Sequence, residues 1–248
     1  MSVRLGFFLL LGALALTSAF AERLIVYGDE AYAPLISVHE GAPSGLLVDI
    51  LRAAALRTGD EYELRLVPWK RAYESALSGL GAIVGISWTK ERAQLFDYSE
   101  ALYSDDIQVV MLRGKEFPFV GVESLRGRTL GGELGASYGQ AVDQALAEDV
   151  FRVDRDTSVV SRLRKLLAGR LDAALVGNGI GGLNAVLASD RELESQRAKL
   201  VVSPRPLVDD LLYLAFPKVA SHPQALARLN AALAELRKLP RWPNVGGL

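Results

Sequence analysis

The chain switches repeatedly between a two-residue and a 3.6-residue apolar period, and that alternation restricts it to an α/β architecture. Leu24 to Tyr27 is a short apolar run closed by Gly28 and Asp29, and it reads as a strand. From about Gly45 to Arg57 the residues Leu46, Leu47, Ile50, Leu51 and Ala54 recur at helical spacing, with Gly59 as a stop. Tyr62 to Val67 alternates as a strand does. Pro68 precedes a helix predicted through Leu77, and Ala82 to Ile86 is a buried-strand run. This βαβαβ order predicts an open sheet with helices on its faces.

The same grammar returns after Asp106. Strands are predicted over Ile107 to Leu112, Arg128 to Gly131, Leu171 to Val176, Leu200 to Val202 and Leu211 to Phe216. Helices are predicted over Ser137 to Ala147, Thr157 to Ala168 and Pro223 to Lys238, the last ended by Pro240. Gly79-Leu-Gly-Ala-Ile-Val-Gly85 is echoed by Gly169-Arg-Leu-Asp-Ala-Ala-Leu175, and each follows a helix and opens a strand. Two similar α/β units with ligand-accepting strand ends suggest two lobes facing one cleft, although short apolar runs also resemble one another by chance.

Half of the 248 residues are apolar, which suits a packed core, and the formal net charge of −1 carries no nucleic-acid or membrane-surface footprint. Two His and no Cys argue against a zinc site or a redox dithiol, so no metal and no cofactor are expected. Residues 1–21 read as an export signal: Arg4, the apolar run Leu5 to Leu16, and the small-x-small site Ala19-Phe-Ala21. The periplasm is the location this implies. Gly177-Asn-Gly-Ile-Gly-Gly182 has the form of a dinucleotide fingerprint, but it is late in the chain and preceded by a helix. A ligand-facing turn at a helix N-terminus is the better reading.

The stretch Gly85-Ile-Ser-Trp-Thr-Lys-Glu-Arg92 concentrates the chemistry. A buried strand brings Ser87 and Thr89 to its end, and Arg92 follows within a turn, where a guanidinium takes a carboxylate through two parallel hydrogen bonds. Pairing with Glu91 or Asp97 on the surface is the alternative for Arg92. Thr89-Lys-Glu-Arg92 followed by Phe96-x-x-Ser99-x-x-x-Tyr103 resembles the T-x-E-R … F-S-x-P-Y segment of the bacterial extracellular solute-binding proteins of family 3. Gly45-Leu-Leu-Val-Asp49-Ile50, Leu125-Arg-Gly127, Gly169-Arg-Leu-Asp172-Ala173 and Tyr213-Leu-Ala-Phe216-Pro-Lys218 extend the resemblance in order over the mature chain.

That resemblance implies a periplasmic binding protein-like II fold, with lobe 1 over 22–105 plus 211–248, lobe 2 over 106–210, and crossings near 101–106 and 208–212. It implies a monomer that captures a small polar carboxylate, an amino acid or analogue, for the membrane permease of an ABC transporter. It places Arg92 as the carboxylate clamp with Ser87 and Thr89 beside it, Tyr32 and Trp69 as flanking aromatics, and Asp29 at the end of the first strand. Ser137 becomes a helix-start N–H donor. Bland roles stay open for these residues: core aromatics for Tyr32 and Trp69, a turn for Asp29, a helix cap for Ser137.

Three departures stand out. Gly177, beside Asn178, occupies the position where such receptors place an Asp for the ligand ammonium, so Glu133, Asp29 or Asp209 would have to supply that charge. Gly81 replaces another expected Asp, which points to packing. The usual final helix is missing. Two alternatives share the scaffold: a cyclohexadienyl dehydratase-like enzyme with Glu133 as general acid, and a ligand sensor not coupled to transport.

Overall fold

The computed structural model describes residues 21–240. All but the last residue of the expected export signal, and the tail from Arg241 onward, lie outside it. The chain opens with β1 (Arg23–Asp29) and a small antiparallel sheet of β2 (Ala31–Tyr32), β3 (Ile36–His39) and β4 (Ala42–Ser44). Then follow α1 (Leu46–Thr58), β5 (Glu61–Val67), α2 (Trp69–Leu77), β6 (Ala82–Ser87) and β7 (Phe96–Tyr98). The long strand β8 (Tyr103–Leu112) leads to β9 (Thr129–Glu133), α3 (Gln140–Ala147), β10 (Arg152–Asp156), α4 (Val159–Leu167) and β11 (Ala173–Val176). After α5 (Gly179–Ser189), α6 (Arg191–Ser195) and β12 (Leu200–Val202), a second long strand, β13 (Val208–Pro217), returns the chain to α7 (Pro223–Leu236).

The main sheet runs β10-β9-β11-β8-β13-β6-β1-β5, so its two ends belong to different parts of the chain. Its core is divided the same way. The two clusters around β1, β6, α1 and α7 draw their buried residues only from positions 24–102 and 212–236. The two clusters around β8, β9, β11 and α4 draw theirs only from 107–207. Two separate cores joined by two strands make a two-lobed molecule of the type II periplasmic binding protein fold. The joint is the antiparallel pairing of β8 with β13, from Val208 opposite Ile107 to Leu212 opposite Tyr103.

Both long strands reach further than the apolar pattern predicts, because their crossing parts, Tyr103-Ser-Asp-Asp106 and Val208-Asp-Asp210, carry polar residues. The helix expected from Ser137 begins at Gln140, because Gly139 precedes it at φ 85°, outside the helical region. Strand β10 went unpredicted, since Arg-Val-Asp-Arg-Asp is nearly all charged. Gly59 does cap α1 in the left-handed region at φ 78°, its N–H donating to Ala55 O.

Gly81 is explained by packing. A Cβ there would stand 2.6 Å from the carbonyl oxygen of Ile25 in β1. Gly81→Ala is therefore expected to cost about 1–3 kcal/mol of unfolding free energy, the range for overfilling a packed site. A urea denaturation midpoint equal to that of the parent would contradict this close approach.

Candidate functional site

The carboxyl ends of the strands in each lobe face one another, where ligands bind in open α/β sheets. Between them lies a cavity of about 70 Å³. Lobe 1 contributes Asp29 at the end of β1, Tyr32 of β2, Trp69 at the start of α2, and Gly85 and Ser87 of β6. Lobe 2 contributes Glu133 at the end of β9, Ser137 and Tyr138, Thr157 and Ser158 after β10, Arg162 of α4, and Gly177 after β11. The crossing strands add Ile107, Asp210 and Leu212.

Six of the nine residues singled out from sequence are on this wall: Asp29, Tyr32, Trp69, Ser87, Ser137 and Gly177. Thr89, Arg92 and Asn178 are not. Thr89 holds the turn that carries Arg92, its Oγ1 accepting from Arg92 N at 3.1 Å. Arg92 is buried, 7 % exposed, and touches two wall residues. Its Nη1 donates to Ser87 O at 3.2 Å, and its guanidinium lies 6.0 Å from the Trp69 ring centre and 5.1 Å from that of Tyr73. Its Nη2 donates across the lobe boundary to Gly135 O at 3.3 Å. Among the described residues it has no carboxylate partner. The buried indole N–H of Trp69 likewise has no acceptor among them. Ser137 stands ahead of α3 rather than at its start, its Oγ donating to Asp143 and accepting from Gly139 N.

The position of Gly177 has a steric reason. A Cβ there would fall 2.0 Å from the hydroxyl oxygen of Tyr32, which crosses the cleft to lie against it. That hydroxyl donates to Asp105, and the same carboxylate accepts from Asn178 N. Asn178 Oδ1 in turn accepts from Tyr103 at 3.0 Å. Asp105 is fully buried.

Arg162 was not predicted as a site residue, although it shares the inner face of its helix with Val159 and Leu166. Gly131 makes room for it, since a Cβ there would stand 2.5 Å from Arg162 Cγ. Its guanidinium, 3 % exposed, donates to Leu175 O at 2.6 Å, Asp156 at 2.9 Å and Glu133 at 3.1 Å. Paired with two carboxylates, this guanidinium orients Glu133 in the wall, while its buried Nε–H has no acceptor among the described residues. Asp209, considered for the ligand's ammonium, is exposed, whereas its neighbour Asp210 is buried and lines the cavity.

Burial dominates the wall's electrostatics. It pushes Asp29 up to about 6 against the pull of the Ala31 N–H, and Asp105 to about 6 against its hydrogen bonds from Tyr32 and Asn178. It pushes Glu133 up to about 7 despite Arg162, and Asp210 to about 7 despite Ser87. Each folded pKa is above its unfolded value near ~4. The protonated forms therefore favour folding, an effect fully present below about pH 4 and lost as pH rises through about 6 to 7. Without added solute, Tm is expected to fall between about pH 5 and pH 8. A thermal scan series in which Tm rises across that window would contradict the buried state of these four carboxyls.

A search of the curated proteins gave no match. Among solved structures, the chain is similar to a histidine kinase sensor domain with similarity to periplasmic binding proteins, at 27 % identity and TM-score 0.73, covering 87 % of this chain and 90 % of that one. It is similar to holo ArgBP from T. maritima at 23 % identity and TM-score 0.68, covering 88 % and 92 %. It is also similar to the substrate binding protein of an amino acid ABC transporter at 18 % identity and TM-score 0.64, covering 87 % and 93 %. The family model of the bacterial extracellular solute-binding proteins, family 3, matches residues 24–244. The chain belongs to that family.

Proposed function

We propose that the chain captures a small zwitterion of the amino-acid type by closing its lobes, 22–105 with 211–248 and 106–210, about the crossing strands. Arg92 carries this reading. A buried guanidinium whose acceptors are two backbone carbonyls is an undercompensated charge, and a carboxylate is the group that offsets it best. The 3.3 Å contact to Gly135 O is the one a ligand carboxylate would replace, with Ser87 and the orphan N–H of Trp69 beside it. Lys90 N donates across the same boundary to Gln140 Oε1 at 3.2 Å, so the loop holding Arg92 also seals the cleft. Thr89 and Asn178 support the site from outside the cavity.

Delivery to the membrane permease of an ABC transporter is the output we propose. A monomer suffices, because one chain supplies both walls. Export to the periplasm fits the apolar N-terminal run and the family, and no helix among the described residues is long and apolar enough to cross a membrane. The likeness to a histidine kinase sensor domain favours a second output, signalling, from the same binding event. A dehydratase-like activity would need Glu133 as a general acid. Its pKa of about 7 suits that task, but its ion pair with Arg162 already gives it a structural role.

A ligand that binds only the folded state stabilises it by about 2.7 kcal/mol at ~100 times Kd. In a thermal-shift screen of amino acids, polyamines, dicarboxylates and aromatic acids, one carboxylate is expected to raise Tm by several degrees. Arg92→Ala should remove that shift. A shift that survives the substitution would take Arg92 out of the site.

A further inference from the structure

We propose that Asp210, on the crossing strand β13, is the group that takes the ligand's ammonium. The inference rests on the zwitterion reading above and names a counter-charge in the joint between the lobes.

The starting point is the missing second-lobe carboxylate. The ring of Tyr32 fills the space beside Gly177, so no side chain fits at that position. Three carboxyls line the cavity instead, and two are committed elsewhere. Glu133 is paired with Arg162 at 3.1 Å. Asp29 closes its own turn, accepting from Ala31 N at 3.1 Å. Asp105 is held by Tyr32 and Asn178 and does not line the cavity.

Asp210 differs from Glu133 and Asp105 in having a single donor and no cation, and from Asp29 in sharing Ser87 with Arg92. It is 7 % exposed and lines the cavity, and its one side-chain hydrogen bond is from Ser87 Oγ. No cation among the described residues forms a salt bridge with it. Directly opposite it in the β8–β13 register stands Asp105, so like charges face each other across the pair. A ligand cation would relieve that repulsion. Burial, then Asp105, raise its pKa to about 7 against the pull of the Ser87 hydrogen bond and of the nearby Arg92, which forms no salt bridge with it.

The position also fits the ligand's own geometry. Ser87 Oγ donates to Asp210, and Ser87 O accepts from Arg92 Nη1 at 3.2 Å. The cation and the anion of the site thus flank one serine. An α-amino acid carries its carboxylate and its ammonium on a single carbon, so its two charges are spaced for such a pair. Because Asp210 lies where β8 and β13 cross, the ammonium contact would tie the ligand to the joint as well as to both walls.

The probes are the common L-amino acids and, for the one that binds tightest, the carboxylic acid of the same skeleton with hydrogen in place of the ammonium. By calorimetry the parent protein is expected to prefer the amino acid on the order of 100-fold, the range for a buried charge pair. Asp210→Asn should bring that preference to within about threefold, through a lower affinity for the amino acid. The amide oxygen can still accept from Ser87, and the change removes a repulsion, so the variant is expected to fold. If it does not, Asp210→Ser reads the same ratio. A preference kept in these variants, or lost in Glu133→Gln or Asp29→Asn instead, would overturn the assignment. If neither probe binds the parent protein, the zwitterion reading itself fails, a result distinct from a ratio that Asp210 does not control.

Discussion

The antiparallel pairing of β8 with β13 is the constraint on which the rest of the molecule depends. It is where the chain passes between two otherwise separate cores, and it carries Asp105 opposite Asp210 and Asp106 opposite Asp209. Like charges directly opposed in a ladder oppose pairing, so the joint keeps this register through other contacts. On the inner face these are hydrogen bonds from Tyr32, Asn178 and Ser87, which come from both lobes. On the outer face burial and its neighbour Asp209 raise the Asp106 carboxyl. A joint built from such charges is one whose electrostatics a bound cation can change.

The buried charges of the cleft differ in how far they are already paired. Arg162 has its charge paired with Asp156 and Glu133, and a backbone carbonyl accepts from it as well. Arg92 is the reverse case, buried between lobes with carbonyls as its hydrogen-bond acceptors, aromatic faces beside it and no salt bridge among the described residues. Two arginines of similar burial thus differ in their counter-charges: one is paired with two carboxylates, and the other forms no salt bridge among the described residues. The same contrast separates Glu133 from Asp210. Counting which buried ions already have partners distinguishes the roles better than proximity to the cavity does.

Much of this was legible in the sequence because it rests on periodicity. The strands ending at Asp29 and Ser87 and the helix starting at Trp69 follow from apolar spacing, and those ends form the lobe 1 wall. What escaped was polar. Val208-Asp-Asp210 has no apolar alternation to mark it as strand, so the sequence offers Asp209 in place of Asp210. Strand period two holds the answer: Asp210 shares a face with buried Leu212, and a one-residue error exchanges the cavity for solvent. Arg162 escaped because a charged residue on a helix is ordinarily read as solvated, although its spacing from Val159 and Leu166 puts it inside. Ser137 was placed in a helix that Gly139 delays by a turn. No spacing rule foretells that Tyr32 reaches across to Gly177, since that contact joins the two lobes.

The most direct measurement is a crystal structure grown with the tightest-binding amino acid. The account predicts the carboxylate of that ligand within about 3 Å of the Arg92 guanidinium, with the Gly135 carbonyl displaced from it. A ligand held in the cleft while Arg92 still donates to both carbonyls would contradict it.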